Sequence, residues 1–164
     1  IKEKINDNKI LGVLITHSHF DHIGAVEKLK KRYDIPVYAS EVEDRLLLDN
    51  RANLSSMFGE PTMICADKFL RDGENVNIAG FDIKFILTPG HTPGSGCYYI
   101  ADENVLFSGD TLFHASRGRT DFPGGSEAAI INSIKEKLLK LPGDTDVYPG
   151  HMDTTKIDNE KVYY

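Results

Sequence analysis

The chain has 164 residues, of which 40% are hydrophobic and 27% charged, a composition typical of a soluble globular domain with its own core. No apolar run reaches the roughly 18 to 20 residues that a membrane-spanning helix needs, and we do not expect the opening residues to be a signal peptide. The formal net charge of -6 argues against a nucleic-acid ligand. Cys65 and Cys97 lie far apart, which favours free thiols and a cytoplasmic protein.

The first half of the chain predicts helices and strands in alternation. Residues 1–8 follow the pattern of the last turns of a helix, and the apolar run after them predicts a strand at 11–16. A helix is predicted from Ile23 to a basic end near Arg32, followed by a short strand at 36–39. Ser40 and Glu43 form a capping-box pattern that opens a helix through residue 48. Residues 51–62 then predict an irregular connection that borders a pocket.

The second half predicts mostly strands. One strand is expected at 81–87, and two more, at 97–101 and 105–107, flank a turn. Ser126 is expected to cap an amphipathic helix that stops at the Pro-Gly pair 142–143, and the last strand is expected at 146–148. No repeat or linker interrupts the sequence, so we expect a single layered α/β domain over residues 1–164.

The segment THSHFDHIG, at residues 16–24, concentrates side chains that bind metals. It contains His17, His19, Asp21 and His22 within six positions, directly after a predicted strand and before a predicted helix. A tight loop there can aim the first two histidines one way and Asp21 and His22 another, which suits two neighbouring metal ions better than one. The spacing is specific enough to favour a metal site over a solvated surface loop.

Three further candidate ligands lie where predicted strands run into loops. His91, Asp110 and His151 each follow a glycine, which permits backbone conformations that turn a side chain back over a sheet edge. A single Gly-His pair is most often a turn feature. Three such junctions together with the first motif are better explained as one site.

With these residues in view, the chain resembles the metallo-β-lactamase-fold hydrolases, and within them the glyoxalase II-like thioester hydrolases. The resemblance covers nearly the whole chain, including the segments GDTLF at 109–113, GRTDFPGG at 118–125, LPGD at 141–144 and YPGH at 148–151. It implies a four-layer αββα sandwich. It also implies a ligand set in which Asp110 bridges two ions, the first held by His17, His19 and His91 and the second by Asp21, His22 and His151.

Two divalent ions, expected to be zinc with iron or manganese as alternatives, can share one water and make it hydroxide near neutral pH. That hydroxide would attack a small thioester such as S-lactoylglutathione, while the ions polarise the carbonyl and accept the thiolate. Asp21 and Asp110 are the carboxylates we assign to catalysis through these ions. No protein nucleophile is needed, because Cys97 lies in an apolar strand and Ser18 faces no base other than the ligands.

The substrate is less well defined than the metal site. The resemblance places a glutathione-contacting basic residue at Arg119, which is therefore the expected substrate-binding residue. Asp121 stands where the family has a glutathione-contacting tyrosine, and we expect no counterpart of the family's additional C-terminal helical region. An ion pair between Arg119 and Asp121 is an equally good interpretation of the two residues. Glutathione recognition is thus left open.

Two other functions are compatible with the sequence. The segments GRTDF and LPGD also resemble the persulfide dioxygenases, which use one iron held by two histidines and an aspartate, but the presence of Asp21, His22 and His151 favours hydrolysis. A noncatalytic binding module stabilised by metal is the alternative of another class, although structural zinc sites are usually closed by four protein ligands. Lactonase and β-lactamase activities are open on the same site, and nuclease activity is disfavoured.

Family members begin with several β-strands before the helix and strand that lead into the H-x-H-x-D-H motif. We therefore expect an N-terminally truncated version of the sandwich, in which one sheet has an uncovered edge and some exposed apolar surface. Because exposed edges recruit strands, we expect either that the chain is a truncated form of a longer protein or that a second copy covers the exposed surface by self-association. The alternative is a natural minimal version whose loops cover the edge. The other expected partner is a small-molecule thioester, with neither nucleic acid nor membrane.

Overall fold

The computed structural model describes residues 9–164, so the helical pattern predicted for residues 1–8 lies outside the described part. The strands are β1 (Val13–Leu14), β2 (Val37–Ser40), β3 (Lys68–Leu70), β4 (Asn75–Ile78), β5 (Phe81–Leu87), β6 (Gly96–Ile100), β7 (Val105–Gly109), β8 (Leu112–Phe113), β9 (Ser116–Arg117), β10 (Asp146–Pro149) and β11 (Thr155–Lys156). The α-helices are α1 (Phe20–Ile23), α2 (Val26–Tyr33), α3 (Asp44–Leu47), α4 (Ser55–Phe58), α5 (Glu127–Glu136) and α6 (Ile157–Glu160). Short 3-10 helices occupy Glu41–Glu43, Leu138–Lys140 and Lys161–Tyr163.

The strands form two main sheets. The first has three parallel strands in the order β1-β2-β3, and the second has six strands in the order β11-β10-β7-β6-β5-β4. In the second sheet β4 to β7 form an antiparallel meander, while β10 runs parallel to β7. Parallel neighbours need long crossover connections, and here α1 and α2 connect β1 to β2 while α5 lies between β7 and β10 in the chain.

The three-stranded sheet buries both faces because its side chains alternate. Val37 and Ala39 pack with Ile23 and Val26 from the first two helices, forming one fully buried cluster. Tyr38, between them in sequence, faces the opposite way and packs in the cluster that joins the two sheets. Strand periodicity of two residues produces this division.

The six-stranded sheet is covered in the same way. Phe85 and Tyr98 point toward the first sheet, whereas Leu106 lies on the other face under Ile130 and Ile134 of α5. The three apolar clusters therefore fill the three interfaces of a helix-sheet-sheet-helix stack. This architecture confirms the four-layer αββα sandwich. None of the helices in residues 9–164 has the length and apolar character to span a membrane.

Several elements differ from the predicted ones at their ends. The helix predicted from Ile23 begins earlier, because the carbonyl of His19 accepts the N–H groups of His22 and Ile23. Asp21 and His22 therefore sit on a helical turn, where a loop was predicted. The irregular connection at 51–62 contains the short helix α4. Helices of four residues leave too little periodicity to be seen in a sequence.

The predicted capping box at Ser40 is wrong in its second half. The hydroxyl of Ser40 does cap the helical segment, accepting the N–H of Val42 at 3.2 Å. Glu43 does not reach back to Ser40, because its carboxylate binds the backbone of two other loops. The Ser40 pattern thus predicted the start of a helix correctly and the partner of Glu43 incorrectly.

The expected uncovered edge is present in the described part of the chain. Within residues 9–164, β1 pairs on one side only, with β2. Beside it a groove of about 450 Å³ opens between the sheets, lined by Leu14, Phe107 and Tyr148 among others. Phe107 lies opposite Tyr98 on the inner face, yet Phe107 and Tyr148 are each 44% exposed. The three-stranded sheet leaves this part of the six-stranded sheet bare.

Self-association through this edge stays a prediction, based on the rule that an open edge and an apolar face attract another strand. Light scattering across a dilution series should show a mass that rises from one chain toward a dimer. Replacing Phe107 by Lys should suppress the rise, whereas Phe81→Lys, an exposed position at the start of β5, should not. A monomer mass at every concentration contradicts the prediction.

Candidate metal centre

The first group of ligand-type residues follows β1. The chain leaves the sheet after Ile15, whose N–H still donates to the carbonyl of Tyr38 at 2.9 Å. The carbonyl of Thr16 accepts the N–H of Gly96 from the other sheet, so the segment that carries His17 and His19 is anchored to both sheets. Both side chains are buried, with 1% and 4% of their surface exposed.

The remaining three candidates lie at the ends of strands in the six-stranded sheet. His91 follows β5, Asp110 follows β7 and His151 follows β10. Gly109 has a φ of +51°, a conformation that glycine adopts readily. A Cβ on Gly150 would lie 2.3 Å from the Oδ1 atom of Asp110. The glycine before Asp110 thus has the backbone conformation that the sequence predicted, whereas the glycine before His151 allows the loops to approach closely.

The structure brings His17, His19 and His91 together in one set. The Nε2 atom of His91 lies 2.8 Å from Nδ1 of His19 and 3.2 Å from Nε2 of His17. Three ring nitrogens that converge in this way can present their lone pairs to one cation.

Asp21, His22 and His151 form a second set beside the first. The Oδ2 atom of Asp21 lies 3.2 Å from Nε2 of His151 and 3.6 Å from Nε2 of His22. The rings of His17 and His22 are 4.1 Å apart between centroids. The two sets are therefore close enough to share a ligand.

Asp110 lies between the two sets. Its Oδ1 atom is 3.4 Å from Nε2 of His22, and its Oδ2 atom is 3.5 Å from Nε2 of both His91 and His151. The one carboxylate thus faces histidines of both groups, in the position that a bridging ligand would occupy.

Burial keeps four of the histidines, His17, His19, His22 and His91, neutral. It lowers the pKa of His17 well below its ordinary value and lowers the pKa of His19 to about 4. Burial also lowers the pKa of His22 and His91. A neutral imidazole has a free lone pair, which is the form that binds a metal.

Two buried polar atoms support the same interpretation. Nε2 of His22 and Oδ1 of Asp110 have no hydrogen-bond partner within residues 9–164. Burial also raises the pKa of Asp110 to about 6. Unpartnered buried donors and acceptors are costly and rare, and the mixed imidazole and carboxylate set fits a zinc or iron ion.

The backbone selects the tautomer of His91. Its Nδ1 atom lies 2.7 Å from the carbonyl oxygen of Arg119, and because a carbonyl can only accept, Nδ1 carries the proton. Nε2 is then left free on the side that faces His17 and His19. Such support of a ligating histidine by an outer hydrogen bond is usual in metal sites.

A cleft of about 420 Å³ opens above the two sets. Its wall is largely apolar and includes Leu54, Phe58 and Phe122, and Arg119 also lines it. Leu54 and Phe58 belong to the segment 51–62, which confirms that this connection borders a pocket. Sequence reasoning did not single out these two residues, because no motif marks an apolar wall.

Arg119 occupies the rim of the cleft. Its guanidinium group donates two hydrogen bonds, each of 2.6 Å, to the carboxylate of Asp121, and it lies 4.1 Å from the centre of the Phe122 ring. The guanidinium holds the pKa of Asp121 at about 2. The predicted pair is therefore formed, and Arg119 also faces the cleft.

Neither candidate nucleophile is activated. Cys97 is fully buried, and burial raises the pKa of its thiol to about 11, so it is protonated at neutral pH. The hydroxyl of Ser18 is buried and has no hydrogen-bond partner within residues 9–164, hence no base to remove its proton. Both observations agree with a reaction that uses no covalent protein intermediate.

Comparison with known proteins defines the family. The family model of the metallo-beta-lactamase superfamily matches residues 1–151. The chain belongs to this superfamily. It is 42% identical over 153 residues to "Probable metallo-hydrolase YqgX" of Bacillus subtilis, an alignment that covers 92% of this chain and 72% of the relative. It is 37% identical over 155 residues to the hydroxyacylglutathione hydrolase GloC of Haemophilus influenzae, covering 91% and 72%.

Solved structures of the superfamily match the fold. The B3 metallo-beta-lactamase BLEG-1 superposes with a TM-score of 0.89 at 43% identity, covering 94% of this chain and 75% of that protein. TTHA1623, solved in a di-iron-bound form, superposes with a TM-score of 0.82 at 35% identity, covering 92% and 74%. These superfamily members support a metal-dependent hydrolase.

Metal analysis tests the two sets of ligands. Protein purified without chelators and supplied with zinc should contain about two ions per chain, as expected for a dinuclear hydrolase. Asp110→Ala should lose much of this zinc while keeping its circular dichroism spectrum, because Asp110 lies at the edge of the core. Asp102→Ala, in an exposed turn, is the control. A wild-type content that stays at one ion per chain after supplementation would refute the two-metal assignment.

Proposed function

We propose that this chain is a dinuclear-metal hydrolase that cleaves a small thioester. The observation that carries the proposal is the position of Asp110 between two groups of metal-binding side chains at the floor of a cleft. The 37% identity to the hydroxyacylglutathione hydrolase GloC supports the thioester as substrate. Zinc is the proposed metal, and the di-iron form of TTHA1623 makes iron the alternative.

In the proposed site, His17, His19 and His91 hold one ion, Asp21, His22 and His151 hold the other, and Asp110 is shared. Bound together, the ions would supply an activated water and polarise the substrate carbonyl. The protein contributes by keeping His17, His19, His22 and His91 neutral through burial and by fixing the ring of His91 through the Arg119 carbonyl. Asp21 and Asp110 are the proposed catalytic carboxylates.

The wall of the cleft favours a substrate with an apolar flank. Phe20 and Phe58 stack with ring centroids 5.4 Å apart, and Phe122 packs edge-on against His19 at 5.4 Å. These rings lie beside the ligands and exclude water from the part of the substrate next to the reacting carbonyl. A short acyl group is well suited to this surface.

Arg119 is the proposed binder of a negatively charged substrate group. Its side chain and that of Asp121 are 59% and 65% exposed, and exposed ion pairs are weak and screened by salt. A carboxylate on the substrate, such as those of glutathione, can therefore replace Asp121 as the partner of Arg119. Asp121 reduces the affinity for such substrates without abolishing it.

A thioester panel tests the activity. The zinc-loaded protein should hydrolyse S-lactoylglutathione, and also S-lactoyl-N-acetylcysteamine, which has the same acyl group on an uncharged thiol. Release of thiol, followed with a thiol-reactive dye, measures both reactions. Asp110→Ala should remove most of the activity, and Asp102→Ala should retain it. Failure of the zinc-loaded protein to cleave either thioester would reject the proposed substrate class.

Charge substitutions test the role of Arg119. Arg119→Ala should raise KM for S-lactoylglutathione by about two- to fivefold, the range for an exposed charge pair, and leave kcat unchanged because the contact is equal in ground and transition states. Asp121→Asn should lower KM by freeing Arg119. Arg71→Ala, which breaks an exposed Arg71–Glu41 pair, is the matched control. A fall in kcat alone for Arg119→Ala would contradict the binding role.

Two further activities should be tested with assays of their own. The 43% identity to the B3 metallo-beta-lactamase BLEG-1 favours a test of β-lactam hydrolysis, because the metals act on ester-like carbonyls and the loops select among them. A persulfide dioxygenase would instead bind one iron per chain and consume oxygen with glutathione persulfide. We keep the cytoplasm as the proposed compartment, since both cysteines are free thiols.

A further inference from the structure

Glu43 is a buried carboxylate next to the metal centre that is not itself among the ligands. Only 1% of its surface is exposed. Its Oε1 atom accepts the N–H of Ser18 at 2.8 Å, and its Oε2 atom accepts the N–H of Gly94 at 2.9 Å. Both hydrogen bonds are buried, and a buried carboxylate with two backbone donors is strongly held.

The two donors belong to the two loops that carry the first histidine set. Ser18 stands between His17 and His19, and Gly94 lies three residues after His91. Glu43 thus joins loops that follow strands of different sheets. Its two hydrogen bonds link these loops directly, and the ring nitrogens of the three histidines project from the same two loops.

Gly94 permits the close contact with Glu43 because it has no side chain. A Cβ on Gly94 would lie 2.4 Å from the Oε2 atom of Glu43, so any other residue at this position would push the carboxylate away. The glycine is therefore required for the close approach between the loop and the glutamate. A side chain at position 43 that only filled the core would need no hydrogen bond to Gly94.

We propose that Glu43 is a positioning residue that sets the affinity of the site formed by His17, His19 and His91. The inference rests on the proposed metal centre but not on the identity of the substrate. Glu43 acts through the backbone of Ser18 and Gly94 and touches neither ion nor substrate. Loss of its hydrogen bonds lets the two loops separate, and the three nitrogens then no longer converge on one point.

Glu160 provides a matched control. It too is a fully buried glutamate, and it accepts the N–H of Ala115 at 2.9 Å and the hydroxyl of Thr155 at 2.6 Å. Neither partner lies in the loops that carry His17, His19 and His91, because Ala115 is in the turn between β8 and β9 and Thr155 is in β11. Substitution of Glu160 should therefore affect stability in the same way as substitution of Glu43, without the effect on metal binding.

The experiment compares Glu43→Gln with Glu160→Gln. In Glu43→Gln the new amide NH₂ group faces one of the two backbone donors, so one hydrogen bond is lost while the shape is kept. Zinc affinity is measured by competition with a chromogenic chelator, and the Tm of the metal-free protein is measured separately. We expect Glu43→Gln to weaken one of two zinc sites by about 10- to 100-fold, the usual effect of removing a group that supports ligands. Glu160→Gln should lower Tm and leave both zinc affinities unchanged.

Two results would overturn the proposal. One is unchanged zinc affinity in Glu43→Gln, and the other is an equal loss of affinity in Glu160→Gln. If Glu43→Gln does not fold, Glu43→Asp serves in its place, because the shorter side chain keeps the charge but cannot span both donors. The expected loss of zinc affinity is the same for Glu43→Asp, and Glu160→Gln remains the control.

The zinc-affinity experiment on Glu43 and the thioester assay can succeed or fail independently. Zinc that binds tightly without any thioester turnover would reject the proposed substrate and leave the role of Glu43 intact. Thioester turnover together with wild-type zinc affinity in Glu43→Gln would support the proposed function and reject the role of Glu43. A wild-type chain that binds no zinc would overturn both.

Discussion

The convergence of imidazole nitrogens and one shared carboxylate is the constraint on which the rest of this structure depends. His91 presents one nitrogen at 2.8 Å from His19 and 3.2 Å from His17, and this nitrogen is unprotonated because the other ring nitrogen of His91 donates to the Arg119 carbonyl. Asp110 adds a buried oxygen that has no hydrogen-bond partner within residues 9–164. Such an arrangement is unfavourable in a dry interior unless a cation neutralises it. The surrounding fold must therefore be rigid enough to hold these groups together.

The topology of the six-stranded sheet supplies that rigidity. In this sheet β5 and β7 are both antiparallel to β6, and β10 is parallel to β7, so the carboxyl ends of β5, β7 and β10 meet at one edge. His91, Asp110 and His151 follow these three ends. The histidine motif after β1 reaches the same edge from the other sheet, anchored by the bond between Gly96 and Thr16. Packing of the two sheets against each other thus builds the site, and no single loop has to hold it.

Part of this arrangement could be predicted from the sequence. The alternation of strands and helices predicts a layered α/β domain, and the four-layer order was implied by the resemblance to the metallo-β-lactamase-fold hydrolases. A glycine before each distant ligand predicts a strand end that turns over the sheet edge. The rest had no local signature. Helix α1 has four residues and strands β8 and β9 have two each, and α1 is held by tertiary contacts such as the Phe20–Phe58 stack. Glu43 matched a common capping pattern, which predicted Ser40 as its partner. Its real partners are 25 and 51 residues distant in sequence and could not be inferred from the local pattern.

Under the proposed function, metal binding and substrate selection depend on different parts of the molecule. The first histidine set is buried and tied to both sheets, so substitutions there disturb packing and hydrogen bonds at once. Arg119 and Asp121 lie on the rim, with 59% and 65% of their side chains exposed, and changes at such positions have little effect on stability. The charge at the mouth of the cleft can therefore vary while the metal centre stays the same. Under the proposed function this separation would account for the 37% identity to a hydroxyacylglutathione hydrolase and the 43% identity to a metallo-beta-lactamase, because a buried metal centre would set the class of reaction and exposed loops would set the substrate.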